Sequence, residues 1–379
     1  MKVYKSTSVY EEALTRIRWI FNEFDNIVVG FSGGKDSTVT LNLALQVATE
    51  MGRLPLTVMF IDQEAEWQAT IDYMKTVMYD ERVNPRWYQM PFKIFNATSA
   101  SEHWLTCFDP EKEDKWIHPQ EPIAITKNIY KDERFVSLFT SIAKVEYPDK
   151  PMCYLSGLRA DENPKRFVGL TQSRCFKWAT WGRCLNTARK HYTMYPIYDW
   201  ASSDVWKAIT TNGWEFNRIY EKMYGNGVPL KDMRVSNLHH ETAVHALFLL
   251  QEMEPNTWER LTQRLAGVDT AGKFGKADFI MKELPFMFPN WREYRDYLLE
   301  NLIQEESWRV NFRKAFARHD EVYRGLAGDN LYKTHVSSIL CQDIDLTKLS
   351  NYDMAEGYKL RMAIKTNDLL EAAANEANN

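Results

Sequence analysis

Three groups of residues have the types and spacing to do chemistry. The first is Ser32-Gly33-Gly34-Lys35-Asp36-Ser37, which lies between the β-branched run Ile27-Val28-Val29 and a stretch with apolar residues at 41, 44, 45 and 48. Two glycines let the backbone approach a ligand closely, and the free N–H groups of a helix start face an anion. Ser32 or Ser37 supplies a hydroxyl, Lys35 offsets phosphate charge, and Asp36 suits a helix start or a Mg²⁺ ligand. The spacing Gly30-x-x-Gly33-Gly34 is neither G-x-G-x-x-G nor a Walker loop. The second group is Asp62 and Glu64, just past the apolar run Leu56-Thr57-Val58-Met59-Phe60-Ile61. In extended backbone their side chains point the same way, and with Asp36 they are the candidates to hold Mg²⁺ on nucleotide phosphates. The rival reading has Asp62 capping the next helix or meeting a nucleotide hydroxyl, with Glu64 and Glu66 stabilising the first turn. The third group is Gly157-Leu158-Arg159-Ala160-Asp161-Glu162-Asn163-Pro164-Lys165-Arg166. Arg159 and Arg166 present rigid forks suited to phosphate or sulfate, the alternative being a solvated turn.

These groups need elements to position them. Residues 11–23 read as an amphipathic helix, 27–29 as a strand and 38–48 as the helix after the loop. Residues 56–61 form a nearly all-apolar strand, the pattern of a parallel sheet covered on both faces, and 68–78 a helix. Polar residues at the carboxyl ends of such strands lie where open α/β sheets bind ligands. Residues 84–131 hold Trp87, Trp104 and Trp116 among five prolines and read as a strand near 87–90 followed by an irregular insertion. Further strands are expected at 152–156 and 194–197, then a helix from a serine cap at Ser202. Helices are expected over 241–252, 257–265, 291–304 and 308–323, with a frayed end from Glu371. The division is therefore an α/β nucleotide-binding domain over 1–225 and a mainly helical domain over 226–379.

The loop Ser32–Ser37 resembles the pyrophosphate-binding loop of the adenine nucleotide alpha-hydrolase superfamily, which includes ATP pyrophosphatases and the phosphoadenosine phosphosulfate (PAPS) reductases. Two later stretches extend the resemblance to the PAPS reductase-like family. Gly157, Arg159, Glu162 and Arg166 match its Gly-x-Arg-x-x-Glu/Gln-Ser-x-x-Arg pattern, with Asn163 in place of the serine. Pro196, Ile197, Trp200, Asp204, Val205 and Trp206 match a Pro-Leu/Ile-x-x-Trp-x-x-x-Asp-Val-Trp stretch whose physical role is scaffold, a buried helix-start cluster. The resemblance implies a parallel α/β fold and an adenine nucleotide, ATP or PAPS, held by Ser32, Gly33, Gly34, Lys35, Asp36, Ser37, Asp62, Gly157, Arg159, Glu162 and Arg166. Lys35, Asp36, Asp62 and Arg159 are the candidates for catalysis of adenylyl or sulfonyl transfer. The Trp-rich insertion and helical C-terminal half are similar to a large bacterial branch of the family, which implies a ParB-like protein partner. The family's Glu-Cys-Gly-Leu-His nucleophile segment is missing, since Cys341 lies in Ile339-Leu340-Cys341-Gln342-Asp343. The departure raises an alternative, a nucleotide-sensing regulatory subunit acting with a partner protein or DNA.

Composition bounds the rest. A chain of 379 residues, 45% hydrophobic and 26% charged, can bury a sizeable core. No stretch reaches membrane-span length, and Met1–Ser6 leads into charged residues without a signal-peptide core, so a cytoplasmic protein with no membrane contact is expected. Cys107, Cys153, Cys175, Cys184 and Cys341 do not make a disulfide scaffold, and the single wide pair Cys175-x8-Cys184 argues against an iron–sulfur cluster. His239, His240, Glu241 and His245 lack zinc-site spacing and, like Arg234, could reach the nucleotide from the domain boundary. The formal charge is −4, yet residues 159–190 hold eight Lys or Arg against Asp161 and Glu162, so either an anion, DNA and RNA among the candidates, is expected to meet that segment or the segment covers an acidic surface elsewhere in the fold. Oligomerisation is left open.

Overall fold

The computed structural model describes residues 6–354 and Met362, apart from 97, 100–101, 103, 163, 172–173, 231–232, 234, 236–237, 239–246, 269–282, 304, 324–327, 341–342, 344 and 347. Arg234, His239, His240, Glu241, His245, Asn163, Cys341 and the end from Glu371 lie outside the described residues.

The chain opens with helix α1 (Val9–Glu23). It starts two residues before the expected 11 because Ser8 and Glu11 form a reciprocal cap: the Glu11 N–H donates to Ser8 Oγ and the Ser8 N–H to Glu11 Oε2. Strand β1 (Asn26–Gly30), helix α2 (Lys35–Glu50), strand β2 (Leu56–Ile61), helix α3 (Gln68–Met78) and strand β3 (Val83–Tyr88) follow. The insertion is more regular than expected, with β4 (Phe92–Phe95) and β5 (Trp104–Cys107) pairing antiparallel. Helix α4 (Phe135–Glu146), strand β6 (Met152–Leu155), helix α5 (Pro164–Thr171), and strands β7 (Gly182–Asn186) and β8 (His191–Met194) come next. Helices α6 (Ser202–Asn212), α7 (Ile219–Gly225), α8 (Leu247–Met253) and α9 (Pro255–Arg264) close the first compact unit, Met1–Asn96 with Glu102–Asp269.

The six-stranded sheet runs β3-β2-β1-β6-β8-β7, parallel except for β7. Successive residues Ile27, Val28 and Val29, and all four of β6, are buried, so both sheet faces are covered. The chain winds from β1 toward β2 and β3 on one side and later toward β6 and β8 on the other. The loops after β1 and β6 therefore straddle the point where strand order reverses, the crevice in which such sheets bind ligands.

Two sequence expectations are corrected. The strand expected at 194–197 lies at 191–194, in register with β6, because Pro196 has no N–H for a ladder and Tyr195–Tyr198 closes a turn instead. Helix α6 is capped not by Ser202 but at Ala201, whose N–H donates to Asp204 Oδ2.

The second unit, Ala97–Ser101 with Thr270–Asn379, contains helices Trp291–Leu302, Glu306–Val322 and Asp329–Leu340. Its core holds a polar chain: Arg295 donates to Asp320 and to His335 Nδ1, and His335 Nε2 meets His319 Nδ1 at 3.0 Å. Burial, with the Arg295 charge, pushes the His335 imidazole down to about 2, so it stays neutral and passes the hydrogen bond along. No described helix of the chain is long and apolar enough to cross a membrane.

Candidate functional site

The loop between β1 and α2 is built as its residue types require. Gly33 takes φ +69°, a left-handed conformation, and added carbon there would meet Thr70 of α3 at 3.0 Å. Gly34 is the N-cap of α2 and has no side chain to occupy the helix start. Ser37 Oγ donates to the Gly34 carbonyl and accepts from the Ser32 N–H, so the two serines brace the turn. The Lys35 N–H donates to the Tyr220 hydroxyl at 3.0 Å. Lys35 itself is 9% exposed: its ammonium lies 3.3 Å from Asp36 and 5.6 Å from the Tyr220 ring centre.

The loop after β6 meets this turn directly. A side chain at Gly157 would stand 2.6 Å from the Asp36 carbonyl group and 2.9 Å from the Ser37 nitrogen. This close approach aims Arg159, 5% exposed, at the start of α2, where its Nε donates to Asp36 Oδ1 at 2.5 Å and its Nη1 to the Trp200 carbonyl. The Arg159 N–H donates to Glu162, which in turn pairs with Arg166. Ser32, Gly33, Gly34, Lys35, Asp36, Ser37, Gly157, Arg159, Glu162 and Arg166 thus form one connected region across the β1/β6 switch point. Two cations are gathered there around one carboxylate, a setting that favours an anion.

Asp62 lies at the same strand edge, but the metal set Asp36, Asp62 and Glu64 does not come together. Among the described residues no three His, Cys, Asp or Glu side chains group to hold a metal ion. The premise of extended backbone fails at Glu64, which takes φ +63° as its N–H turns back onto Asp62 Oδ1. Asp62 Oδ2 accepts from Trp87 Nε1 and Gln89 Nε2, and Oδ1 lies 3.3 Å from His118 Nε2. Glu64 faces the other way, accepting from Arg264 Nε at 2.6 Å and from the Phe108 N–H at 2.7 Å. With both carboxylates fully committed, the three residues do not fit Mg²⁺. Nor does Asp62 cap α3: the Gln68 and Ala69 N–H groups donate to Glu254 of the α8–α9 junction.

A third carboxyl, Glu66, is buried beside this network. Burial, helped by the Asp62 charge and opposed by His118, pushes it up to about 8. Burial is also the largest influence on Asp62 and would raise it. The His118 charge and the bonds from His118, Gln89 and Trp87 outweigh that and keep it below the usual carboxylate range. Burial likewise opposes charge on His118, but Asp62 outweighs it and raises the imidazole. Glu66 is therefore a neutral acid below about 8. Its ordinary value is 4.5, so between there and about 8 the folded chain holds a proton the unfolded chain has lost. Stability should therefore fall with rising pH across that window, by up to ~1.4 kcal/mol per unit. Urea unfolding from pH 5 to 9 should show the parent losing stability relative to Glu66→Gln; parallel curves would mean an ionised or solvated Glu66.

Sequence reasoning missed Asn217, Tyr220, His118, Glu254 and Arg264. Asn217 Nδ2 donates to the Gly33 carbonyl and to Thr70 Oγ1, so it fixes the loop against α3. Its signal, Asn217-Arg218-Ile219-Tyr220, is too short for periodicity to mark. Cys107, Cys153 and Cys175 are poor nucleophiles in place: burial pushes Cys107 and Cys153 well above the ordinary thiol range and Cys175 up to about 11. Cys175 lies against Met194, and Cys184 contacts Thr187.

Residues 26–226 match the phosphoadenosine phosphosulfate reductase domain, and residues 227–373 match a Domain of unknown function (DUF3440). The chain is 29% identical over 340 residues to the uncharacterized protein YbdN of Escherichia coli (strain K12), covering 84% of this chain and 82% of the relative. The crystal structure of phosphoadenylyl-sulfate (PAPS) reductase from Candida auris, a phosphate complex, aligns over 62% of this chain and 90% of its own, at 16% identity and a TM-score of 0.33. Candida glabrata FMN adenylyltransferase aligns over 57% of this chain at 15% identity and a TM-score of 0.35, and the alignment spans 62% of that protein.

Proposed function

We propose, from the premise that this chain belongs to the phosphoadenosine phosphosulfate reductase domain family, that it is an enzyme holding the phosphates of an adenine nucleotide, ATP or PAPS, at the Ser32–Ser37 turn. One observation carries this reading: Arg159, from the loop after β6, meets Asp36 at the start of α2, where Lys35 pairs with the same carboxylate, across the strand-order switch point. Phosphate oxygens there would meet the first-turn N–H groups of α2 and the charges of Lys35 and Arg159, which now face the Tyr220 hydroxyl and the Asp36 carboxylate.

Two transfers fit such a site. In adenylyl transfer an acceptor oxygen attacks the α-phosphorus of ATP, the bond to the bridging α–β oxygen breaks, pyrophosphate leaves, and the acceptor's proton goes to solvent. Lys35 and Arg159 would stabilise the charge that develops on the leaving group. In sulfonyl transfer an acceptor attacks the sulfur of PAPS and adenosine 3′,5′-bisphosphate leaves. The raised thiols of Cys107, Cys153 and Cys175 support an external acceptor over an internal cysteine. The exposed Arg174, Lys177, Arg183 and Lys190 support a second reading, a nucleotide-sensing subunit whose basic segment meets an acidic partner, a ParB-like protein or a nucleic acid.

The test follows α-³²P-labelled ATP and, separately, PAPS with the purified full chain, with and without cell extract as a source of acceptor. AMP or an AMP adduct with released pyrophosphate supports adenylyl transfer. Consumption of PAPS with intact ATP supports sulfonyl transfer, and both nucleotides intact in every condition would overturn the enzymatic reading.

A further inference from the structure

We propose that the Tyr220 hydroxyl is an additional phosphate contact of this site, donating its hydrogen to the anion that the α2 N–H groups face. The inference rests on the nucleotide reading above and adds a residue that loop motifs do not contain.

Tyr220 belongs to α7, yet its oxygen sits on the turn. It accepts the Lys35 N–H at 3.0 Å, and a side chain on Gly34 would come within 3.6 Å of it. Lys35 is the first residue of α2, so that N–H is one of the groups no helix can satisfy internally. Tyr220 is therefore already bonded to the kind of donor a phosphate oxygen would use.

The hydroxyl also has something to give. A phenol both accepts and donates, and Tyr220 accepts from Lys35 while no acceptor among the described residues takes its hydrogen. The side chain is held in place by its neighbours. It is 4% exposed, its ring packs edge-on against Trp206 at 5.2 Å between centres, and the Lys35 ammonium lies over its face. Burial, the largest influence, raises the phenol well above its ordinary value despite the bond from Lys35, so it remains a neutral donor. Three residues earlier, Asn217 donates to the Gly33 carbonyl, which occupies a loop acceptor that would repel an anion. Asn217 thus holds the Gly33 carbonyl and Tyr220 the Lys35 N–H, with the phenol hydrogen left over.

Tyr220→Phe in the full chain tests this, because it keeps the ring against Trp206 and Lys35 and removes only the oxygen. Equilibrium binding is measured for ATP, or for PAPS where the unaltered chain does not bind ATP, and for inorganic pyrophosphate, with urea unfolding as the check on folding. A hydrogen bond to a charged group supports an expected loss of about tenfold or more in affinity, similar for both probes. Equal or tighter binding by the variant would overturn the proposal and make Tyr220 a plug on the Lys35 N–H. A loss for the nucleotide but not pyrophosphate would also overturn it, since the effect would then lie away from the phosphates. If the unaltered chain binds neither ATP, PAPS nor pyrophosphate, the nucleotide reading falls and this inference falls with it.

Discussion

Replacing Arg264 by leucine is expected to cost ~3–5 kcal/mol of stability, although the residue lies 200 positions from its partner in sequence. Both ends of the pair are buried: Arg264 is 8% exposed and Glu64 fully enclosed. An exposed ion pair contributes only ~0–1 kcal/mol, because water screens it and solvates either end when the other is lost. Here the Glu64 carboxylate would keep the Phe108 N–H and little else, while the Thr106 carbonyl would also lose its donor. Glu64 is held at φ +63° as well, a backbone state that needs its surroundings to enforce it. The double variant Glu64→Leu with Arg264→Leu should recover much of the loss, since no charge is then stranded. Urea midpoints of the parent, the two single variants and the double variant measure this. A loss below ~1 kcal/mol for Arg264→Leu would mean that water reaches Glu64.

The second large effect is expected from one methyl group. Gly157→Ala would put a carbon 2.6 Å from the Asp36 carbonyl group and 2.9 Å from the Ser37 nitrogen. These are backbone atoms of the first turn of α2, not the end of a flexible side chain, so the turn itself must shift. Overpacking of this kind costs ~1–3 kcal/mol. Because the displaced atoms belong to the proposed phosphate site, ATP affinity should fall at least ~10-fold, which is ~1.4 kcal/mol. Gly169→Ala is the control: nothing lies within 4 Å of the added carbon, and in helix α5 alanine should gain ~0.5–1 kcal/mol over glycine. Unchanged ATP binding by Gly157→Ala would show that the loop after β6 does not set the geometry of the site.

The sequence made some parts of this arrangement readable for local reasons. Residues 56–61 are all apolar but Thr57, so β2 could be bounded by pattern alone. The turn after β1 was readable because two adjacent glycines, a lysine and hydroxyls between a strand and a helix leave few other uses. What failed to show depended on distance or on backbone state. Asp36 and Arg159 are 123 residues apart and touch only because β1 and β6 are neighbours in the sheet. Glu64 looked like a metal ligand because alternation assumes extended backbone, and one left-handed residue undid that assumption. Nothing in the segment around Lys35 reveals that the Tyr220 ring will lie against its ammonium. Helix α7, at seven residues, is too short to carry a periodic signal, and it brings Tyr220 to the turn.

Calorimetric titration of ATP and PAPS into the full chain and into Lys35→Ala decides whether the turn from Ser32 to Ser37 holds nucleotide phosphates. Lys35 joins the Asp36 carboxylate and the Tyr220 ring at this turn, so urea unfolding of the variant must accompany the titration. The expected result is saturable binding of at least one nucleotide by the parent and an affinity lower by about tenfold or more in the variant, with the fold retained. Equal affinities for parent and variant, or no binding of either nucleotide by the parent, would contradict the account.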